Sequence, residues 1–330
     1  MIWAAIGMAM SGGAVAQIAI PQSAIPQSEL ADTKPDDFVY VAATSQDRVG
    51  RVMTPVFVNG VGPFAFVVDT GASSTVIAPR VARRLSLRID TSNPKLLRGI
   101  TGSELVPTVN VSNITAGGIT LENSSLPVVE PRVFADADGI FGADAFGRGC
   151  LIVSFERGKV AILAKPCPRV DDNWEKVRAR LRFGGLVVAD AHIGATRAVA
   201  IIDTGAERSL GNPALLAALR ERKKISLDSN RTQVYSATSQ IVFGDLLVTP
   251  SLRMGGMSVG RFQVVYGDFE VFRIWDVADR PAIVLGIDVL GQLDAMMIDY
   301  TRSELLVLPR DSTGGVAMKR RGMPTRLPRN

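Results

Sequence analysis

Histidine is almost missing from this chain, which carries a single one, His192, in 330 residues. A site built on several imidazoles is therefore excluded, and a histidine-activated nucleophile would have to rely on that one residue. Cysteine is nearly as scarce. Two thiols, Cys150 and Cys167, can form neither a cysteine-rich zinc site nor a disulfide-dense scaffold. Aromatic residues make up only 6% of the chain, and none falls within the basic C-terminal stretch. Stacking of nucleic-acid bases thus has no support there. What remains for chemistry is mainly carboxylate, with no metal and no cofactor expected.

The rest of the composition is that of a globular protein: 47% apolar and 21% charged. At about 150 residues per domain, the length suggests two domains. The net charge of +5 is not a nucleic-acid signature, because it is unevenly spread. Residues 311–330 hold five basic side chains against one acid, and residues 17–47 offset them with five acids against one lysine. A basic end of this kind reads as a solvated, disordered tail.

Residues 1–16 carry no charge and end in Ala14-Val15-Ala16. That pattern predicts a secretory signal peptide cleaved after Ala16, and hence a periplasmic or secreted protein. The basic residues that usually open such a segment are missing, so a retained membrane anchor is the alternative. The apolar run is nevertheless shorter than the ~20 residues a spanning helix needs. Residues 17–47 follow as a Pro/Gln/Ser linker in which Ile20-Pro21-Gln22-Ser23 is repeated as Ile25-Pro26-Gln27-Ser28.

Beyond the linker, short apolar runs alternate with Gly, Pro and Asn punctuation as far as Pro309, the pattern of an all-β protein. The chain also repeats itself. Phe64-Ala65-Phe66-Val67-Val68 runs into Asp69-Thr70-Gly71-Ala72, and Ala198-Val199-Ala200-Ile201-Ile202 runs into Asp203-Thr204-Gly205-Ala206. Each is followed by a helix signal opening with proline, Pro79 and Pro213. Further on, Ile140-Phe141-Gly142 answers Val284-Leu285-Gly286, and each runs on into a hairpin.

These paired motifs resemble the aspartic proteases, specifically the retropepsin-like branch, present here as two copies in one polypeptide. The resemblance covers about residues 48–310. It implies an all-β, bilobal fold of two retropepsin-like barrels about a pseudo-twofold axis. The first lobe spans 48–165, the joint 166–182 and the second lobe 183–310, with pairing inside one chain and a monomer as the assembly. It also implies that Asp69 and Asp203 meet and catalyse. Chemistry agrees with that placement. Two carboxyl groups in contact cannot both ionise comfortably, so one proton is shared. The ionised partner activates water while the neutral one donates to the carbonyl. Gly71 and Gly205 allow close approach of the loops, and Thr70 and Thr204 tie them across the axis. Gly142 and Gly286 remove side chains behind each loop.

Departures from the family pattern are informative. Ala72 and Ala206 bring no hydroxyl to the aspartates, so an optimum less acidic than that of pepsin-type enzymes is expected. Glu207 fits an acid that positions substrate backbone, whereas Ser73 takes its place in the first copy, which implies an asymmetric cleft. A flap is expected at Gly99-Ile100-Thr101-Gly102, with Tyr235-Ser236-Ala237-Thr238-Ser239 in the matching interval. Ile100, Thr101, Glu207 and Tyr235 are thus the candidate substrate contacts. Register about Arg157-Gly158 sets Cys150 opposite Lys165, which makes a structural Cys150–Cys167 disulfide plausible. Asp144 and Asp288 read as helix-capping or loop-bracing acids, and His192 as a surface histidine or one with its hydrogen bonds satisfied. The function implied is peptide-bond hydrolysis on peptide or protein substrates, with no nucleic acid and a membrane only if the N-terminal segment stays. The alternative is a non-catalytic peptide-binding protein on the same fold.

Overall fold

The computed structural model describes residues 50–130, 136–147, 149–225 and 230–310, together with the backbone of Val41–Ala43. The expected signal segment 1–16, most of the linker and the basic tail 311–330 lie outside the described residues.

Strand dominates the described chain. The reason is visible in the two repeated runs. Phe66, Val67 and Val68, and likewise Ala200, Ile201 and Ile202, are essentially unexposed. Such continuous apolar runs suit strands buried on both faces, and the β-branched residues in them favour the extended backbone. Val61–Val68 pairs in parallel with Gly139–Phe141, and Thr196–Ile202 in parallel with Ala282–Leu285. On the far side of each lies a short antiparallel strand, Val76–Ile77 or Leu210–Gly211. The strand carrying Gly142 or Gly286 at its end is therefore threaded between the strand before and the strand after its Asp-Thr-Gly loop.

Three sheets result. The first repeat builds one of seven strands, and the second builds one of ten. The third has six strands and takes them from both repeats, in the order Val41–Ala43, Lys159–Leu163, Cys150–Ser154, Leu293–Asp299, Glu304–Pro309, Glu175–Val177. Its middle is an antiparallel pairing of Cys150–Ser154 with Leu293–Asp299, in which Ile152 faces Met297. Val153, Leu151, Met296 and Ile298 are fully buried there, and they belong to one apolar cluster that runs through both repeats. The outer strands also match, one leading into each repeat.

That match shifts the expected boundaries. Val41–Ala43 falls inside the predicted linker yet pairs with Lys159–Leu163. Glu175–Val177 and Ala179–Arg182 fall inside the predicted joint yet are strands, the first on Glu304–Pro309 and the second on Leu186–Ile193. Glu175–Val177 and Ala179–Arg182 are too short and too polar to signal a strand by themselves; a waiting sheet edge recruits them.

Local signals hold where the geometry is local. Asn59 and Gly60 are both left-handed, with φ of 52° and 75°, as a two-residue hairpin turn requires. The helices Pro79–Arg84 and Pro213–Glu221 open on their prolines, and Asn212 caps the second by accepting from Leu215 N at 2.9 Å.

Candidate active site

Asp69 and Asp203 each sit one residue past the end of a buried strand, and their amides bond the neighbouring threaded strand: Asp69 N to Phe141 O and Asp203 N to Leu285 O. Each loop then turns sharply enough for the carboxylate to accept its own loop's amides. Asp69 Oδ1 takes Gly71 N at 2.8 Å and Ala72 N at 2.9 Å. Asp203 Oδ1 takes Gly205 N and Ala206 N, each at 2.9 Å.

The two loops are tied to each other by threonine. Thr70 N donates to Thr204 Oγ1 and Thr204 N donates to Thr70 Oγ1, both at 3.1 Å. Each hydroxyl then donates onward across the junction, Thr70 Oγ1 to Ile202 O at 2.8 Å and Thr204 Oγ1 to Val68 O at 2.6 Å. Both threonines are fully buried, so every polar atom in this knot needs its partner. The knot brings the two carboxyl groups into hydrogen-bonding contact. It also leaves no room for a side chain at the glycines. A Cβ on Gly71 would fall 2.2 Å from Asp203 Cγ, and one on Gly205 would fall 2.2 Å from Asp69 Cγ.

A second layer holds each loop from behind. Asp144 accepts from Thr75 N at 2.9 Å and from its hydroxyl at 2.8 Å, and Thr75 Oγ1 in turn accepts from Gly142 N. Asp288, Ser209 and Gly286 N repeat the arrangement. A Cβ at Gly142 or Gly286 would lie within 2.8 Å of loop backbone, at Ser74 or Ala206 respectively. These acids brace loops, as their place after the buried glycine suggested.

Electrostatics separates the two central carboxyls. Burial pushes Asp203 well above the usual carboxylate range, and the charge of Asp69 adds to the rise. Asp69 is raised too, again by burial, but the amides of Gly71 and Ala72, the bond to Asp203 and the charge of Arg51 hold it back. The pair therefore keeps a proton at a pH where an ordinary aspartate has lost its own, and it titrates as a unit.

Arg51 was not singled out from the sequence. The Asn59-Gly60 turn and a one-residue bulge between Val56 and Val58 set the register that pairs Met53 with Val67, which carried on puts Arg51 across from Asp69. The turn was legible, but the bulge was not. The corresponding position in the second repeat is Leu186.

Above the pair lies a cavity of about 840 Å³. Asp69, Gly71, Asp203, Gly205, Ile100, Glu207 and Tyr235 all line it. Gly99 and Gly102 close a hairpin whose turn is Ile100-Thr101, as expected, while Tyr235 and Ile241 close its counterpart. The two tips touch. Thr101 Oγ1 lies 2.6 Å from Ser236 Oγ and 2.8 Å from Thr238 Oγ1, all three residues being buried. Thr101, expected as a substrate contact, is thus turned away from the cavity into the joint between the tips. Tyr235 is half exposed on the cavity wall and is no core residue. Sequence reasoning also missed Phe183, Leu186 and Trp275, which line the cavity from segments that carry no motif.

Cys150 and Cys167 are disulfide-bonded, with Cα atoms 4.9 Å apart. The register leading there differs from the expected one. Cys150 faces Leu163, because the turn takes four residues, Phe155 to Gly158, with Gly158 left-handed.

Comparison with known protein families matches residues 54–145 to the family described as aspartyl protease. No curated protein matches the chain. The matched stretch carries the first Asp-Thr-Gly loop and Gly142, and over it the chain is similar to that family.

Proposed function

We propose that this protein is an aspartic endopeptidase whose two repeats act as lobes about a pseudo-twofold axis, with Asp69 and Asp203 as the catalytic pair within one chain. The observation that carries the reading is the reciprocal knot between Thr70 and Thr204, which makes the second repeat the partner of the first. With the dyad completed inside one polypeptide, a monomer suffices.

In this reading a peptide lies in the cavity beneath the two hairpin tips, and a water molecule sits between the carboxyls. The ionised carboxylate takes a proton from that water as its oxygen bonds to the peptide carbon. The protonated partner donates to the carbonyl oxygen, so no free oxyanion forms. Collapse of the tetrahedral intermediate breaks the C–N bond, and the proton gained from water passes to the departing nitrogen. Burial raises both carboxyls, and together they keep the one proton that this division of labour needs. The raised pair supports an activity optimum less acidic than that of pepsin-type enzymes. A profile centred near pH 2 would overturn that expectation.

The same proposal puts the protein outside the cytoplasm, in the periplasm or the medium. The Cys150–Cys167 bond supports this, since disulfides persist chiefly in oxidising compartments.

The test is digestion of an unbiased peptide mixture between pH 3 and 8, read by mass spectrometry, with gel filtration alongside. Cleavage by a monomer that is lost in both Asp69→Asn and Asp203→Asn is the expected result. Cleavage that survives either substitution, or that disappears on dilution as a dimer dissociates, sinks the single-chain dyad.

A further inference from the structure

We propose that the second repeat carries, outside the cleft, a docking face for an acidic segment of a protein partner, built from Arg178, Arg180, Arg197 and Arg253.

Strand alternation puts these residues on one face. Leu186–Ile193 pairs with Thr196–Ile202 along one side, and with Ala179–Arg182 and Leu252–Met254 along the other. Directly opposed residues point the same way. His192 therefore stands between Arg197 and Arg253, and Val188 stands beside Arg180. Asp190 lies opposite Val199, and its amide donates to the Arg178 carbonyl, which sets Arg178 on its other flank. The alternate residues Ala189, Ala191, Ile193, Ala198 and Ala200 turn inward and are buried. The four arginines and His192 are all exposed.

This face holds more positive charge than it neutralises. Asp190 is its single carboxylate and is shared three ways, with Arg180 at 3.5 Å and Arg178 and Arg197 each at 3.8 Å. Arg253 donates to the Gly194 carbonyl at 3.4 Å, a neutral acceptor. Among the described residues no other carboxylate comes within ion-pair distance of the four arginines. Glu175, three residues before Arg178, lies against Gly256 in the turn of the outer hairpin.

The fold does not require these charges, because the first repeat builds the same pairing without them. Pro55 stands opposite Ala65, four residues before Asp69, as Asp190 stands opposite Val199, four residues before Asp203. Phe57 faces Thr115 where His192 faces Arg253.

The partner's chemistry follows from the groups presented. Guanidinium forks match carboxylates, and Asp190 shows this surface already gathering one. The positions facing Arg253, Arg178 and Arg180 are two residues apart along Leu186–Ile193, so the arginines stand at steps of about 6.6 Å. An extended segment with Asp or Glu at alternate positions has the same repeat. Val188 is buried and Val199 half-buried, so the named face offers a bilayer no exposed aliphatic group to insert. None of these residues lines the cavity above the two aspartates, so a docked segment leaves that cavity free.

Exposed ion pairs are individually weak, and three or four together are expected to favour an acidic segment about tenfold over a neutral one. Salt screens that advantage.

The experiment measures fluorescence anisotropy of a labelled peptide alternating Asp and Ser, and of its Asn/Ser counterpart, with the full chain carrying Asp69→Asn so that neither is cut. Vesicles of anionic phospholipid are tested by sedimentation alongside. The Asp peptide should bind about tenfold tighter at low salt, with the gain gone in about 0.5 M salt. Combined Arg178→Glu, Arg197→Glu and Arg253→Glu should abolish the gain, and the same three changed to Gln should reduce it if the first variant does not fold. Reversing Arg222 and Lys224 to Glu, on a different element, should leave it intact. Equal binding of the two peptides, a folded triple variant that keeps the gain, or equal loss in the Arg222 and Lys224 control would each overturn the inference. Vesicle binding through the same arginines without preference for the Asp peptide would overturn it too, in favour of a membrane. The readout is binding to a face outside the cleft, so it stands or falls separately from the peptidase reading.

Discussion

Around their aspartates the two repeats make the same bonds at nearly the same lengths. Each carboxylate takes two loop amides, each threonine reaches across to the other loop, and each threaded strand is braced by an aspartate on a hydroxyl. A few residues away the repeats part. Arg51 stands where the second repeat has Leu186, and Ser73-Ser74 where it has Glu207-Arg208. A disulfide ties the end of the first repeat to the joint, and the second repeat has no cysteine. The division follows from the chemistry each part serves. Two carboxyls that share a proton must meet in equivalent settings, so their loops have little freedom to diverge. In the proposed reading the ligand is a peptide whose two halves differ, and walls that read those halves gain by differing too.

The equivalence of the loops is tested most severely at the carboxyls. Asp69→Asn and Asp203→Asn should each lower kcat/KM by about 10²- to 10⁴-fold, and the double variant should fall little further, because the pair acts as one acid–base unit. A single variant that kept substantial activity would break the comparison at its centre. The disulfide measures a difference instead. Replacing Cys150 and Cys167 together by serine opens a cross-link between residues 17 apart and should cost about 3 kcal/mol in denaturant unfolding. Reduction of the wild type should cost as much.

Thr70→Val and Thr204→Val come next. Each strips a buried carbonyl and a buried amide of their partner, at about 1–3 kcal/mol, and the double variant should cost less than the sum. If one threonine proved markedly more costly than the other, the knot would be less reciprocal than its distances imply.

The smallest effect separates the two aspartates by pH. Folding raises both carboxyls above the ordinary value of 3.8, so the folded state holds protons that the unfolded chain has released. Their contribution to stability is therefore largest below that value and is lost as pH climbs through the raised range. Asp144 and Asp288 are raised by burial in the same sense. Asp203→Asn should accordingly raise the melting temperature near neutral pH and flatten its pH dependence, and Asp69→Asn should do so less. A destabilised Asp203→Asn protein at pH 7 would contradict this account of the pair.

Much of this was legible in the residues because the signals are local. An apolar β-branched run ending in Asp-Thr-Gly specifies a buried strand and a tight turn over fewer than ten positions, and the chain does so twice. Proline at a helix start and Asn-Gly at a hairpin turn act within a few bonds. Other features escaped for equally physical reasons. The turn that ends at Gly158 takes four residues where Arg157-Gly158 suggested two, and this slip moved Cys150 from Lys165 to Leu163. Glu175–Val177 is a strand only because a sheet edge accepts it.

By itself, then, the sequence determined the repeat, the strand class, the two aspartates with their glycines and threonines, and which residues differ between the copies. Tertiary structure alone decided that Thr101 meets Ser236 across 135 residues of chain, that Arg51 comes to lie beside Asp69, and that Phe183, Leu186 and Trp275 line the same cavity as the two aspartates. Such contacts depend on summed bulges, turns and sheet registers, and a shift of one residue in any of them moves a side chain to the opposite face.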